Sequence, residues 1–185
     1  MGIEHPKNPI TKELIVMTTD FLITCKEQNG DTVEKARTVK YKKDLLDKRV
    51  IEKFEIERRY WTKRGVDWGI VTEKEISKIM AANIEWIYIA YYLEPTFELD
   101  LSDLLIIASN LKINLSNTEE SITNITTKLD KEMNLDAGTS LYLFKHLVSR
   151  KEILMDMSQK INVGKSASTI KEIIIDSINK EDITA

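Results

Sequence analysis

The order of periodic segments in this 185-residue chain predicts an α/β portion followed by a mostly helical portion. Three observations carry that reading. Residues 14–41 alternate with period two around a Gln28-Asn29-Gly30-Asp31 turn signal. Residues 44–64 switch to helical spacing. Three further helical segments follow a break at Glu94-Pro95-Thr96. The expected division is a mixed domain over 1–93 and a helical one over 95–185.

Taken in order, Leu14–Lys26 reads as a strand. Ile15, Met17, Thr19, Phe21 and Ile23 fall on one face, and Val16, Thr18, Asp20, Leu22 and Thr24 on the other. A second strand at about 33–41 pairs with it as a hairpin. Asp44 or Asp47 caps the helix that follows, whose stripe is Leu46, Val50, Phe54 and Trp61. Gly65 sits where a helix ends, after Lys63 and Arg64. Val66–Thr72 is a short strand. Thr72-Glu73-Lys74-Glu75 reads as a capping box opening a helix, and Asn83 as the cap of another over Ile84–Leu93. Trp86, Tyr88, Tyr91 and Tyr92 read as core or domain-interface packing.

Beyond the break, helices are expected over 101–111, 118–134 and 139–150. Leu101, Leu104, Leu105 and Ala108 make one stripe, and Leu141, Phe144, Leu147 and Val148 another. Lys151–Met157 is strand-like, Ser158-Gln159-Lys160 turn-like, and a last amphipathic helix covers about 168–179. Three helices, a strand and a turn suggest a winged-helix-like arrangement.

Composition excludes several classes. Apolar residues make up 42% and charged residues 31%, as in a folded globular chain. The longest apolar run, Trp86–Leu93, is shorter than the roughly 20 residues that span a bilayer. No secretory leader pattern opens the sequence. A single cysteine, Cys25, rules out an internal disulfide and a cysteine-rich zinc site. A cytoplasmic location is the expectation. The net charge of −3 is uneven: residues 1–93 balance to +2 and residues 94–185 to −5. Residues 35–64 hold 12 Lys/Arg against 5 Asp/Glu. Such a basic stretch is either a solvated helix face or an attractor of phosphate.

Chemistry concentrates in three strings. Thr18-Thr19-Asp20-Phe21-Leu22 puts an acid on one strand, and Thr38-Val39-Lys40 puts a lysine on the next. That pairing is the core of metal-dependent phosphodiesterases of the restriction-endonuclease type: hard oxygen ligands hold magnesium, and a lysine near the scissile phosphate stabilises charge or orients water. Phe54-Glu55-Ile56-Glu57-Arg58-Arg59-Tyr60-Trp61 and Asn83-Ile84-Glu85-Trp86-Ile87-Tyr88 complete a pattern that resembles the TnsA family, the endonuclease subunits of heteromeric DNA transposases. The likeness runs from about Gly2-Ile3-Glu4-His5-Pro6 nearly to the end, more loosely in the second half.

The resemblance implies a partial restriction-endonuclease-like domain followed by a winged-helix-like domain. It implies Asp20, Thr38 and Lys40 as catalytic positions, Asp20 and Val39 as metal positions, and Mg2+ as cofactor. It implies cutting of DNA at the 5′ ends of a transposon. Expected partners are a TnsB-like transposase and a TnsC-like ATPase, the latter contacted by the C-terminal domain. Arg58 and Arg59 are candidate DNA contacts, or else ion-pair partners of Glu55 and other acids.

Two departures accompany the resemblance. The family carries a glutamine where this chain has Thr38, and a threonine hydroxyl is a poorer magnesium ligand. The family also has a further acid on a helix upstream of the aspartate strand, and neither Glu4 nor Glu13 matches it. The expectation is therefore a chain lacking the N-terminal part of the nuclease domain, with weak metal binding and no cleavage by itself. A truncated, non-catalytic adaptor binding partners or DNA is the alternative. The acidic second half, and a helix over 139–150 offering only Lys145 and Arg150 as cations, point that half to a protein partner rather than to DNA.

Other features carry less. Gly164-Lys165-Ser166 lacks the leading glycine of a phosphate loop, since position 159 is Gln. His5 and His146 lack ligand spacing; His5 reads as a turn residue and His146 as a helix-surface or core-edge residue. No internal repeat supports a solenoid.

Overall fold

In a computed structural model of the chain, residues 2–27, 29–93, 99–116 and 118–175 are described. The Glu94-Pro95-Thr96 break lies outside them. They divide into two compact units, Met1–Ile76 and Ser77–Ala185. The sequence placed the division near residue 94 instead. It falls earlier because the helix carrying Asn83 and Ile87 belongs to the second unit, where Ile87 joins the apolar core.

The first unit is built on a three-stranded sheet in the order β1 (Phe21–Lys26), β2 (Thr32–Val39), β3 (Asp67–Val71). β1 and β2 are antiparallel, with Phe21 opposite Arg37 and Lys26 opposite Thr32. β2 and β3 are parallel, with Lys35 opposite Asp67 and Val39 opposite Val71. A parallel pair needs a crossover, and α1 (Lys48–Thr62) supplies it. Of the two candidate caps, Asp47 is the one used: its Oδ1 accepts from the N–H of Arg49 at 2.7 Å. Asp44 lies in a 3-10 turn, Lys42–Leu46, so the long helical stretch is broken. Leu46 is 91% exposed and drops out of the expected stripe. Gly65 takes φ +73 after the helix end, a conformation that needs glycine.

The first strand is shorter than its alternation implied. Residues 6–15 fold into a turn of their own: Asn8 Oδ1 accepts from the N–H of Ile10 and Thr11, Lys7 bridges Leu14, and Lys12 adopts φ 61. That local hydrogen bonding competes with the ladder and delays β1 to Phe21.

In the second unit, α2 (Lys78–Tyr88) starts from Ser77, whose Oγ accepts from Met80 N–H. The Thr72–Glu75 box closes as expected, with Thr72 N–H donating to Glu75 Oε2 at 2.7 Å, but no helix begins there. Asn83 is an interior residue of α2 and not a cap. α3 (Leu101–Leu115), α4 (Ile122–Glu132) and α5 (Thr139–Ser149) follow. Ile107, Leu111, Leu115, Ile122, Leu143 and Phe144 are almost wholly buried among them. Gly138, with φ +97, precedes α5 and has no side chain to cap it. Asp130 of α4 does so, accepting from Gly138 N–H and Ser140 N–H at 2.8 Å each. Tyr88 and Tyr92, expected as packing residues, are 64% and 59% exposed.

The strand expected over 151–157 shrinks to β4 (Ile153–Leu154), antiparallel to β5 (Glu172–Ile173). The final helix expected over 168–179 is not formed where it is described: a 3-10 turn, Ala167–Thr169, leads into β5, and residues 176–179 lie outside the described residues. His146 is a core residue, 3% exposed, with Nδ1 2.8 Å from the Ala90 carbonyl oxygen.

Candidate functional site

The candidate catalytic residues gather at one end of the β1–β2 ladder. Asp20 immediately precedes β1 and Lys40 immediately follows β2, so both stand just beyond the paired residues. Asp20 Oδ2 accepts from the backbone N–H of Val39 at 2.7 Å. Lys40 donates its backbone N–H to Val71 O at 3.0 Å, and its Nζ lies 3.7 Å from Asp44 Oδ2. Asp20 is thus joined to Val39, while the ion-pair partner of Lys40 is Asp44.

Thr38 faces the other way from solvent. It is 6% exposed, and its hydroxyl donates to Glu57 Oε1 at 2.6 Å. Glu57, on α1, is 7% exposed. Its Oε1 accepts a second hydroxyl, that of Thr19, also at 2.6 Å. Trp61 Nε1 donates to Thr19 Oγ1 at 2.8 Å and so leaves the Thr19 proton for Glu57. Two hydroxyl donors satisfy Oε1, as a buried polar oxygen requires. Among the described residues Glu57 Oε2 has no hydrogen-bond partner. Glu57 also lines a cleft of about 530 Å³ with Thr18, Thr19, Leu22, Tyr60 and Trp61. Sequence reasoning missed Glu57 as a site residue. It sits inside a string noted only for resemblance, and helical spacing does not reveal that a glutamate is buried.

The result is two carboxylates bonded to successive residues of β2, Glu57 to Thr38 and Asp20 to Val39. Among the described residues no group of three or more His, Cys, Asp or Glu gathers to hold a metal ion. The donors present still suit a hard divalent cation. Magnesium is commonly held through one or two carboxylates and keeps several waters.

Elsewhere on α1, Arg58 and Arg59 converge on Glu55. Arg58 donates Nε and Nη2 to it at 2.7 and 2.9 Å, and Arg59 donates Nε at 2.7 Å. The Arg58 guanidinium, then that of Arg59, holds the Glu55 carboxyl down at about 2. One acid shared between two guanidinium groups leaves a net positive charge on this helix face. Of the two roles weighed for these arginines, the ion pairs are present.

This α/β arrangement belongs with known proteins. Residues 2–73 match the family described as "TnsA-like endonuclease N terminal". Residues 75–157 match the family described as "TnsA endonuclease C terminal". The chain belongs to the TnsA family. It is 34% identical over 166 residues to "Transposon Tn7 transposition protein TnsA" of Escherichia coli, an alignment covering 90% of this chain and 58% of that protein. The chain therefore spans less than two thirds of that relative's length. No helix among the described residues is long and apolar enough to cross a membrane.

Proposed function

We propose that the chain is the endonuclease subunit of a heteromeric DNA transposase, cutting the 5′ ends of the element with magnesium. The observation that carries this reading is the pair of carboxylates anchored on Thr38 and Val39 with Lys40 next in sequence. In this reading the first unit, ending at Ile76, acts as a restriction-endonuclease-like domain and the second, starting at Ser77, as a winged-helix-like one. Asp20, Glu57 and Val39 are the residues that would hold the metal. When bound, magnesium supplies Lewis acidity, lowering the pKa of water and offsetting charge on the scissile phosphate. Lys40 stabilises the phosphate or orients the water. Thr38 holds the Glu57 carboxyl group in place through its hydroxyl. Arg58 and Arg59 meet the DNA backbone with their remaining donors. A TnsB-like transposase acts on the 3′ ends, and a TnsC-like ATPase docks on the C-terminal domain. The assembly works in the cytoplasm.

The test is strand cleavage of transposon-end DNA with magnesium and both partner proteins present. Wild type is expected to nick the 5′ ends, and Asp20→Ala to lose at least about a hundredfold in rate. Undiminished nicking by Asp20→Ala would remove Asp20 from the site. A second reading, a non-catalytic adaptor, draws on Thr38, whose hydroxyl is engaged by Glu57 where the family's glutamine would face the metal. Binding of partners and DNA with no cleavage under any of these conditions would favour that adaptor.

A further inference from the structure

We propose that the segment 155–171 of the second unit forms a phosphate-binding cleft that grips the backbone of duplex DNA. The cleft has a volume of about 790 Å³, and its lining includes Trp86, Lys160, Asn162, Lys165 and Lys171. Its lining holds three lysines and one acid, Asp156, which lies 3.5 Å from Lys171 Nζ, while Glu119 is bonded to Ser166 and Ser168 of the same segment. Lys160 and Lys165 are exposed and have no acidic partner among the described residues. A fourth cation stands at the edge: Lys145 Nζ lies 4.4 Å from the centroid of the Trp86 ring.

The lysines sit on a backbone that is already ordered. Asn83, 3% exposed, donates to the carbonyls of Met157 and Gln159 at 3.1 and 2.7 Å and accepts from Ile161 N–H at 3.1 Å. At the other end, Ile122 N–H donates to Lys165 O at 3.1 Å, and Thr123 N–H to Val163 O at 2.8 Å. A loop tied down in advance loses little entropy on binding. The occupant follows from charge spacing. Lysine is a point-charge phosphate binder, and duplex DNA offers one negative charge per roughly 1.7 Å of axis, so it can meet several lysines at once whatever its sequence. The balance of −5 over residues 94–185 does not oppose this, because binding responds to the local field and not to the sum.

The experiment reads binding and not cleavage, so it stands apart from the nuclease reading. Anisotropy of a short labelled duplex is measured with the full 185-residue chain at several salt concentrations. Lys160→Glu with Lys165→Glu is compared with a control of equal charge change on α4, Lys128→Glu with Lys131→Glu. The cleft pair is expected to weaken binding at least about tenfold and to flatten the slope of log K against log salt by about 2, while the control changes little. Lys160→Gln with Lys165→Gln, which adds no acid, should give a smaller loss in the same direction and serves if the first variant misfolds. Equal losses in cleft and control pairs, unchanged binding, or no binding by wild type would overturn the proposal. So would polyglutamate binding in the cleft in place of the duplex.

Discussion

The two units hold themselves together by different means. In the second, an apolar cluster runs from Ile87 to Ala167, with Phe144 and Leu111 wholly shielded from water. In the first, Ala36 and Pro6 are the buried apolar side chains among the described residues, and Phe21, Leu22 and Ile23 on β1 are about half exposed. What lies inside the first unit is a polar chain: Trp61 to Thr19 to Glu57 to Thr38. Apolar packing is additive and tolerant, whereas a buried carboxylate is stable only while every donor is present. The unit that carries the candidate chemistry is thus the one whose interior is organised around a hydrogen-bonded carboxyl group.

That contrast can be broken from either side. The largest effect belongs to Phe144→Ala, which removes a ring with no exposure from the second unit's centre. It should cost about 3–5 kcal/mol by denaturant unfolding and speed amide exchange across α3 to α5. A loss below 1 kcal/mol would mean that the cluster is not the unit's main support. Glu57→Ala comes next. It strands two hydroxyls and should cost about 1–3 kcal/mol, with faster exchange in α1 and β2 rather than in α3 to α5. Unchanged exchange in α1 and β2 would dissolve the polar-chain account.

The smallest effect concerns His146. Burial first, then the nearby Arg150 charge, pulls its pKa below 6.5, against the opposing pull of the Ala90 carbonyl and Glu152. The folded state therefore resists protonation more than the unfolded chain does. Its contribution is complete above pH 6.5 and is lost as pH falls from there through the folded pKa. The melting temperature should drop modestly between about pH 7.5 and 5.5, and His146→Gln should flatten that slope. An identical slope in the variant would assign the dependence to other groups.

Legibility in the sequence followed the range of each interaction. Asp47 as a cap, Gly65 after a helix and the strand pair around Gly30 are decided within a few residues, and the sequence shows them. Asn83 looked like a cap because local rules see only local partners. Its actual partners are the backbone of residues 157–161, some seventy positions away. Glu57 was hidden for the same reason, its two hydroxyl donors coming from distant segments. The lysine cleft was masked differently: summing charge over half the chain averages away a cluster of three.

Asp130 ties the history of two positions together. Because it supplies the cap that α5 lacks, residue 138 is released from any capping duty and is free to be the glycine that φ +97 requires. The reverse repair is closed. A serine or aspartate at 138 would have to take up a backbone conformation that side chains avoid. Inheritance of this helix start therefore rests on a residue in a different helix, and the pair would be expected to change together or not at all.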